Sequence, residues 1–176
     1  MDTSVTLEKY DERWSTSWGW LILRLGVGGY LLTHGWGKLQ MLIDGNYTML
    51  GDPIGLGPKL SLFLVMFAEF VCAILVMAGL ATRIAAAVVV FSMGVAVFVA
   101  HATNPWTMEE GFKQFMAHLT PMPISREPAM MYLIPFLALA VAGAGRLSLD
   151  AIVWPWIQHR RTGHAVEEKV HAGSSM

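Results

Sequence analysis

The sequence predicts an all-α fold: a transmembrane four-helix bundle with an outer amphipathic helix and a C-terminal interfacial helix. The chain is 55% hydrophobic and only 14% charged, whereas soluble domains average roughly 45–50% apolar and 25% charged residues. Four apolar stretches approach the length of about 20 residues that crosses a bilayer. They are residues 18–39, 60–80, 84–100 and 129–147.

Ionisable residues inside these stretches support the same interpretation and indicate where chemistry is possible. Arg24 lies within the first stretch and Glu69 within the second. A charge in hydrocarbon costs a few kcal/mol or more, so such residues face the interior of a bundle and serve either function or helix association.

Composition also excludes several classes of protein. The length of 176 residues suits one membrane domain, placed at residues 18–157. A single cysteine, Cys72, excludes an internal disulfide, a CxxC redox pair and a cysteine-built metal or iron–sulfur site within the chain. A net charge of −1 without a long basic run argues against a nucleic-acid partner.

The first predicted helix carries a polar stripe. Arg24, His34 and Lys38 fall within an arc of about 80° at 100° per residue. Gly28 and Gly35 lie beside this arc, so a neighbouring helix can approach closely there. Residues 1–17 precede this helix and are acidic at the start, and we predict them to be a cytoplasmic segment.

The sequence allows two interpretations of Glu69. Counted from Lys38 and Lys59 as the outer ends of their helices, Arg24 lies about 21 Å and Glu69 about 15 Å deep at 1.5 Å per residue. We therefore predict a structural Arg24–Glu69 ion pair, which would neutralise both charges. In the alternative, Glu69 is a proton-accepting carboxylate whose pKa is set by burial and by the arginine.

The third predicted helix ends in a second candidate stripe, Ala87, Gly94 and His101 at sevenfold spacing. This pattern places His101 near the same end of the bundle as His34. Either histidine can be a hydrogen-bonded polar end, a contact for a quinone carbonyl or a proton, or a metal or haem ligand. Haem is disfavoured and no metal site is expected, while Lys38 is either a snorkelling anchor or a further cofactor contact.

The segments between the predicted helices contain residues that typically end or begin a helix. Gly79 can end the second helix in the left-handed conformation, and Thr82 can cap the third. The stretch Thr107 to Glu110 has a capping-box pattern, and apolar residues follow at helical spacing, which predicts the amphipathic helix at the outer membrane surface.

After the fourth span, Gly143 ends the helix and Ser148 caps the next, with Asp150 in its first turn. Apolar residues at 152–157 then predict the cytoplasmic interfacial helix. The polar tail, residues 158–176, is predicted to be disordered.

Basic residues beside the spans set the predicted orientation, since they concentrate on the cytoplasmic side. Seven fall on one side and four on the other, so both termini are predicted in the cytoplasm. The first set is Lys9, Arg13, Arg83, Arg146, Arg160, Arg161 and Lys169, and the second is Lys38, Lys59, Lys113 and Arg126.

In these features the sequence resembles the DoxX family of membrane proteins, in order from about residue 18 to 153. The matching pieces are the stretch Arg24 to Lys38, Glu69, the stretch Gly79 to Arg83, His101, and the stretch Gly143 to Asp150. The resemblance implies a four-helix bundle in the bacterial cytoplasmic membrane. Some relatives are the membrane subunit of a thiosulfate:quinone oxidoreductase, and others are linked to membrane complexes that handle oxidative or thiol stress.

Two main functions follow as hypotheses. In the first, the chain is a redox-linked membrane subunit that binds a quinone between its first three helices. His34, Lys38 and His101 would contact the quinone, Glu69 would exchange the proton, and a partner protein would supply electrons.

In the second hypothesis, the chain is a non-catalytic anchor or assembly factor for a larger complex. A third reading is a carrier for protons or a small solute. The expected partners in every case are the lipid bilayer and other protein subunits or further copies of this chain.

Overall fold

The structure is a computed structural model that describes residues 3–153 and 155–156, with side chains for residues 14–48, 51–153 and 155–156. All regular structure within these residues is helical. The main helices are α1 (Thr3–Ile43), α2 (Pro58–Ala78), α3 (Thr82–Ala100), α4 (Met108–Met116) and α5 (Glu127–Ala142). A 3₁₀ turn covers Tyr47–Leu50, and residues 149–153 begin a further helical segment.

The observed helices cover the predicted spans with different ends. The first helix begins at Thr3, so its 41 residues extend about 60 Å at 1.5 Å per residue, well beyond the predicted start at residue 18. The last one stops at Ala142, five residues before the predicted end at 147, because Gly143 adopts a φ of +85° that an α-helix does not allow. The predicted tail, residues 158–176, lies outside the described residues.

Helices α1, α2, α3 and α5, which we call the four long helices, pack together, and their ends form two distinct regions. The loop end carries the connections of residues 44–57 and 101–126. The hairpin end carries the tight α2–α3 turn at residues 79–81 and the corner at residues 143–148.

The close approach of α1 and α2 depends on two glycines. A Cβ atom at Gly28 would lie 2.5 Å from Met77 Cγ, and one at Gly35 would lie 2.5 Å from the carbonyl carbon of Glu69. Any larger side chain would push the helices apart, because real Cβ atoms do not come so close. The prediction that a helix packs against these glycines is confirmed.

The core lies between α2, α3 and α5 and is apolar. Val76, Val89, Phe136 and Leu139 are completely buried. The outward surfaces of these helices are apolar as well, with large exposed side chains such as Ile84, Phe91, Ile134 and Val141. Helices that are apolar on every face belong in a large core or in a membrane.

Two of the described helices, α2 with 21 residues and α3 with 19, are long and apolar enough to cross a bilayer. The apolar helix α5 is shorter, with 16 residues. These lengths agree with those of helices in a membrane protein.

The predicted stripe on the third helix is not an interior stripe. Ala87 is exposed, and Gly94 has open space where a Cβ would stand. The buried positions are Ala86, Val89 and Met93, because α3 packs through that face against α5 and α2.

The hairpin end confirms Gly79 and corrects Thr82. Gly79 ends α2 in the left-handed conformation with φ +72° and ψ +36°. The cap of α3 comes instead from Asp150, whose two carboxylate oxygens accept hydrogen bonds from Ala81 N at 2.7 Å and Thr82 N at 2.9 Å. The Thr82 hydroxyl is buried without a hydrogen-bond partner.

The other predicted caps are present. Thr107 Oγ1 accepts from Glu110 N at 3.3 Å at the start of α4, and Ser148 Oγ accepts from Ala151 N at 3.3 Å. Glu127 begins α5 and also binds the first turn of α4, accepting from Met108 N at 2.6 Å. The short amphipathic helix is therefore a defined element of the loop end.

Candidate functional site

A buried ion pair between α1 and α2 is the chemical centre of the loop end. Lys38 Nζ donates to Glu69 Oε2 at 2.5 Å, and the two side chains are only 16% and 8% exposed. Gly35, one turn before Lys38, packs directly on the Glu69 backbone and brings the two helices close enough for this bond.

The predicted Arg24–Glu69 ion pair is wrong. Arg24 is completely buried at the hairpin end, where its Nη2 donates to the Leu147 carbonyl oxygen and its guanidinium interacts electrostatically with Asp150. The depth count failed because α1 continues to Ile43. Since Gly35 stands level with Glu69, Arg24 lies eleven residues, about 16 Å, further down the helix.

A cavity of about 510 Å³ lies between α2 and α3 and reaches this ion pair. Lys38, Glu69 and His101 are among its lining residues, and its walls are mainly apolar. The wall residues include Leu64, Val65, Phe67, Ala68, Val88, Phe91, Val95 and Ala96. A mostly apolar cavity with a few polar groups is the usual form of a small-molecule site.

His101 is a further polar residue that lines the cavity. Its Nδ1 lies 2.9 Å from Asn104 Nδ2, and an amide nitrogen donates, so Nδ1 accepts and Nε2 carries the proton in the neutral ring. Burial lowers the pKa of His101, and the nearby Arg126 adds to that shift. His101 is therefore neutral at physiological pH and can donate one hydrogen bond.

The structure does not bring His34 into this cavity. His34 is exposed on the side of α1 nearest α5, with its ring edge against Tyr132 at a centroid distance of 5.7 Å. The helical wheel placed it 40° from Lys38, which is enough to turn it toward α5 instead of α2. Of the predicted site residues, the cavity gathers Glu69, Lys38 and His101.

Both helices that line the cavity depart from α-helical geometry where they meet it. Phe67–Val71, which contains Glu69, and Ala96–Ala100, directly before His101, are π-helical turns. Such turns are rare and are frequently found at functional sites, because the extra residue shifts side chains relative to a regular helix. Sequence periodicity carried no signal for them.

Asp52 fixes the loop segment that contains Pro53 and Ile54, which we call the cover of the cavity. The sequence analysis did not predict this role. Its carboxylate accepts hydrogen bonds from Leu56 N at 3.0 Å, Gly57 N at 2.7 Å and Ser61 Oγ at 2.7 Å. These bonds, that from Ser61 foremost, lower the pKa of Asp52. Pro53 and Ile54, which follow Asp52 in this loop, line the cavity. An Asp-Pro pair before glycines is a turn signal that could have predicted this local fold.

Arg126 holds the loop that follows α3, next to His101. Its guanidinium lies 4.4 Å from the centre of the Trp106 ring, and its Nε donates to Asn104 O at 2.9 Å. Its Nη2 donates to Ala102 O. Arg126 thus fixes the segment that holds Asn104 against His101, a role that its position in a loop did not reveal.

Part of the chain also matches a known protein family. The DoxX family model matches residues 19–102. Residues 19–102 belong to the DoxX family. The match covers the Lys38–Glu69 pair and His101, and it ends before α4, so the corner at residues 143–150 lies outside it. No curated protein and no solved structure gives a significant match.

The predicted resemblance is thereby confirmed over these residues. The DoxX match over residues 19–102 and the apolar helices together indicate a membrane protein. Ionisable residues within the apolar helices of a membrane protein, as Glu69 is here, are candidates for a functional role.

Proposed function

We propose that this protein is the membrane subunit of a redox-linked complex and that it binds a quinone in the cavity between α2 and α3. In this proposal the four long helices form a bundle that spans the bacterial cytoplasmic membrane. Both termini lie in the cytoplasm, and α4 lies at the outer surface. The observation that carries the proposal is a mainly apolar cavity lined by the Lys38–Glu69 ion pair and by His101.

The residues present fit a quinone head group. Quinones are flat, apolar rings with two carbonyl oxygens that only accept hydrogen bonds. Lys38 and His101 are both donors and both line the cavity, so each can bind one carbonyl. When bound, the quinone would carry two electrons and two protons as quinol, with the electrons coming from a partner protein.

Lys38 and Glu69 have complementary parts in this proposal. The Lys38 ammonium stabilises negative charge in the cavity, where low polarity strengthens its effect. Glu69 holds that ammonium in place through the 2.5 Å bond and can exchange a proton with it. His101 orients the ring through its Nε2–H, and the apolar walls exclude water.

Binding tests this function directly. The protein is purified in mild detergent, its lipid extract is analysed for quinone, and the dissociation constant of decyl-ubiquinone is then measured in nanodiscs. We expect His101→Gln and Glu69→Gln each to weaken binding by about tenfold, since a hydrogen bond to a charged or buried group contributes roughly 1.5–3 kcal/mol.

The chain offers matched controls. His34→Gln changes the other predicted histidine, which lies outside the cavity, and Glu109→Gln changes an exposed carboxylate on α4. Both should bind as the wild type does. Equal binding by all four variants would reject the quinone site.

A non-catalytic anchor is the second candidate, favoured by the apolar side of α4. Phe112 and Met116 are more than half exposed there, and Leu119 beyond the helix is 75% exposed, so this side can dock on another subunit or on the membrane. If Glu69→Gln leaves both complex assembly and electron flow unchanged, while Phe112→Ser disrupts assembly, the anchor role is the better account.

A further inference from the structure

The cavity has two sides by which a ligand could enter. One is the loop end, which faces the connections of residues 44–57 and 101–126. The other is the gap between α2 and α3, which faces the surroundings of the bundle. The two sides differ in how firmly they are closed and in the chemistry of the residues that line them.

The loop end is covered by a segment that is tied down. Pro53 and Ile54 form the cover, and Asp52 anchors it by accepting hydrogen bonds from Leu56 N, Gly57 N and Ser61 Oγ, all at 3.0 Å or less. Ser61 lies in α2 and is itself a wall residue, so the cover is fastened directly to the wall. Moving this segment away from α2 would break the hydrogen bond between Asp52 and Ser61.

The gap between α2 and α3 is bordered by apolar side chains that belong to both the cavity and the outer surface. Phe91 lines the cavity yet is 70% exposed, whereas Phe67 and, on the loop side, Ile54 are only 38% and 39% exposed. A side chain that is part of the wall and also mostly on the surface, as Phe91 is, stands at an opening. In a bilayer this opening faces acyl chains, where only apolar groups are stable.

We propose that the ligand enters sideways from the bilayer between α2 and α3, past Phe67 and Phe91, and leaves an apolar tail in this gap. The ligand class is therefore a carbonyl-bearing head group with a linear apolar chain, not a tail-free water-soluble compound. This inference rests on the proposed function, because it assumes that the head group binds at Lys38, Glu69 and His101.

Phe91 is the specificity-determining residue in this arrangement. Its ring stands beside the path of the tail, so its size sets how easily the chain passes and how tightly the chain packs. Phe98 provides a matched control on the same helix, because it is 61% exposed but does not line the cavity. A change at Phe98 alters the lipid-facing surface without touching the opening.

The experiment measures association and dissociation of decyl-ubiquinone with the full-length protein in nanodiscs. We expect Phe91→Trp to slow association at least fivefold and Phe91→Ala to accelerate it, with Phe98→Trp and Phe98→Ala close to wild type. Wild type should also bind decyl-ubiquinone at least tenfold more tightly than tail-free ubiquinone-0. The two opposite changes at Phe91 keep the test valid if one variant folds poorly.

The alternative route gives a different pattern. If the ligand enters through the loop end, Asp52→Ala should accelerate association by freeing the cover, and the Phe91 variants should behave as the Phe98 variants do. That result would overturn sideways entry but leave quinone binding intact. Absence of quinone binding to the wild-type protein would overturn both.

Discussion

Arg24 and Lys38 are both cations on the inward face of α1, yet the structure uses them in different ways. Arg24, at the hairpin end, is completely buried, donates to the Leu147 carbonyl, interacts electrostatically with Asp150 and does not line the cavity between α2 and α3. Lys38, at the loop end, pairs with Glu69 at the edge of a 510 Å³ cavity. A buried charge closed in by the fold holds helices together, whereas one that borders a cavity can also act on a ligand.

We expect the largest loss of stability from a change at the hairpin end, where Arg24 is buried. Arg24→Ala removes the donor to Leu147 and empties the space of the largest completely buried side chain. We expect a loss of about 3 kcal/mol in the free energy of unfolding, in the range of other large-to-small changes in a packed interior. Unfolding by denaturant in micelles measures this loss. Arg83→Ala, an exposed arginine at the same end, is the control and should change little.

The next effect concerns the packing that brings Lys38 to Glu69. Gly35→Ala would place a Cβ 2.5 Å from the Glu69 backbone, so we expect a destabilisation of about 2 kcal/mol from overpacking. Gly37→Ala, two residues on, meets nothing within 4 Å and should be neutral or slightly stabilising, since alanine favours helix. Similar stabilities for the two variants would show that the helices are not in close contact there.

A double-mutant cycle then distinguishes the observed ion pair from the predicted one. Lys38→Met and Glu69→Leu each leave a buried charge without its partner, and combining them should recover about 1–3 kcal/mol, the usual coupling of residues in contact. Arg24→Leu combined with Glu69→Leu should show additive costs, because those residues lie far apart. Recovery in the second cycle and none in the first would reverse the assignment.

The smallest effect is a pH dependence due to His101. Its folded-state pKa is lowered by burial, so the unfolded chain binds the proton more readily and stability falls as the pH drops below about 6.5, the ordinary histidine value. Melting temperatures at pH 7 and pH 5 should show this loss in the wild type. His101→Gln should lose that part of the difference, while His34→Gln should keep it.

The sequence predicted the helices and the chemistry of single residues better than it predicted their pairing. Apolar length located α2 and α3, and Gly28, Gly35 and Gly79 indicated close packing and a helix end, because these depend on local geometry. The register between α1 and α2 could not be obtained in that way. It required the true end of α1, which lies beyond Lys38.

The rest of the site depends on long-range contacts and on irregular backbone. Asp150 caps a helix 68 residues earlier in the chain, and Asp52 reaches forward to Ser61. The two π-helical turns at Phe67–Val71 and Ala96–Ala100 turn Glu69 and His101 in ways that a regular helical wheel cannot reproduce. His34 lies on the regular helix α1, and its 40° offset from Lys38 is enough to turn it toward Tyr132 of α5 instead of toward α2.

The most direct test of the central claim is quinone affinity in the neutral double variant Lys38→Met/Glu69→Leu. The variant should remain folded, because it removes both charges of the pair together, so a change in affinity would report on the ligand and not on stability. We predict that decyl-ubiquinone binds to it at least tenfold more weakly than to the wild type, in line with the loss of a charged hydrogen bond. Wild-type affinity in a folded double variant would contradict a ligand site built on this ion pair.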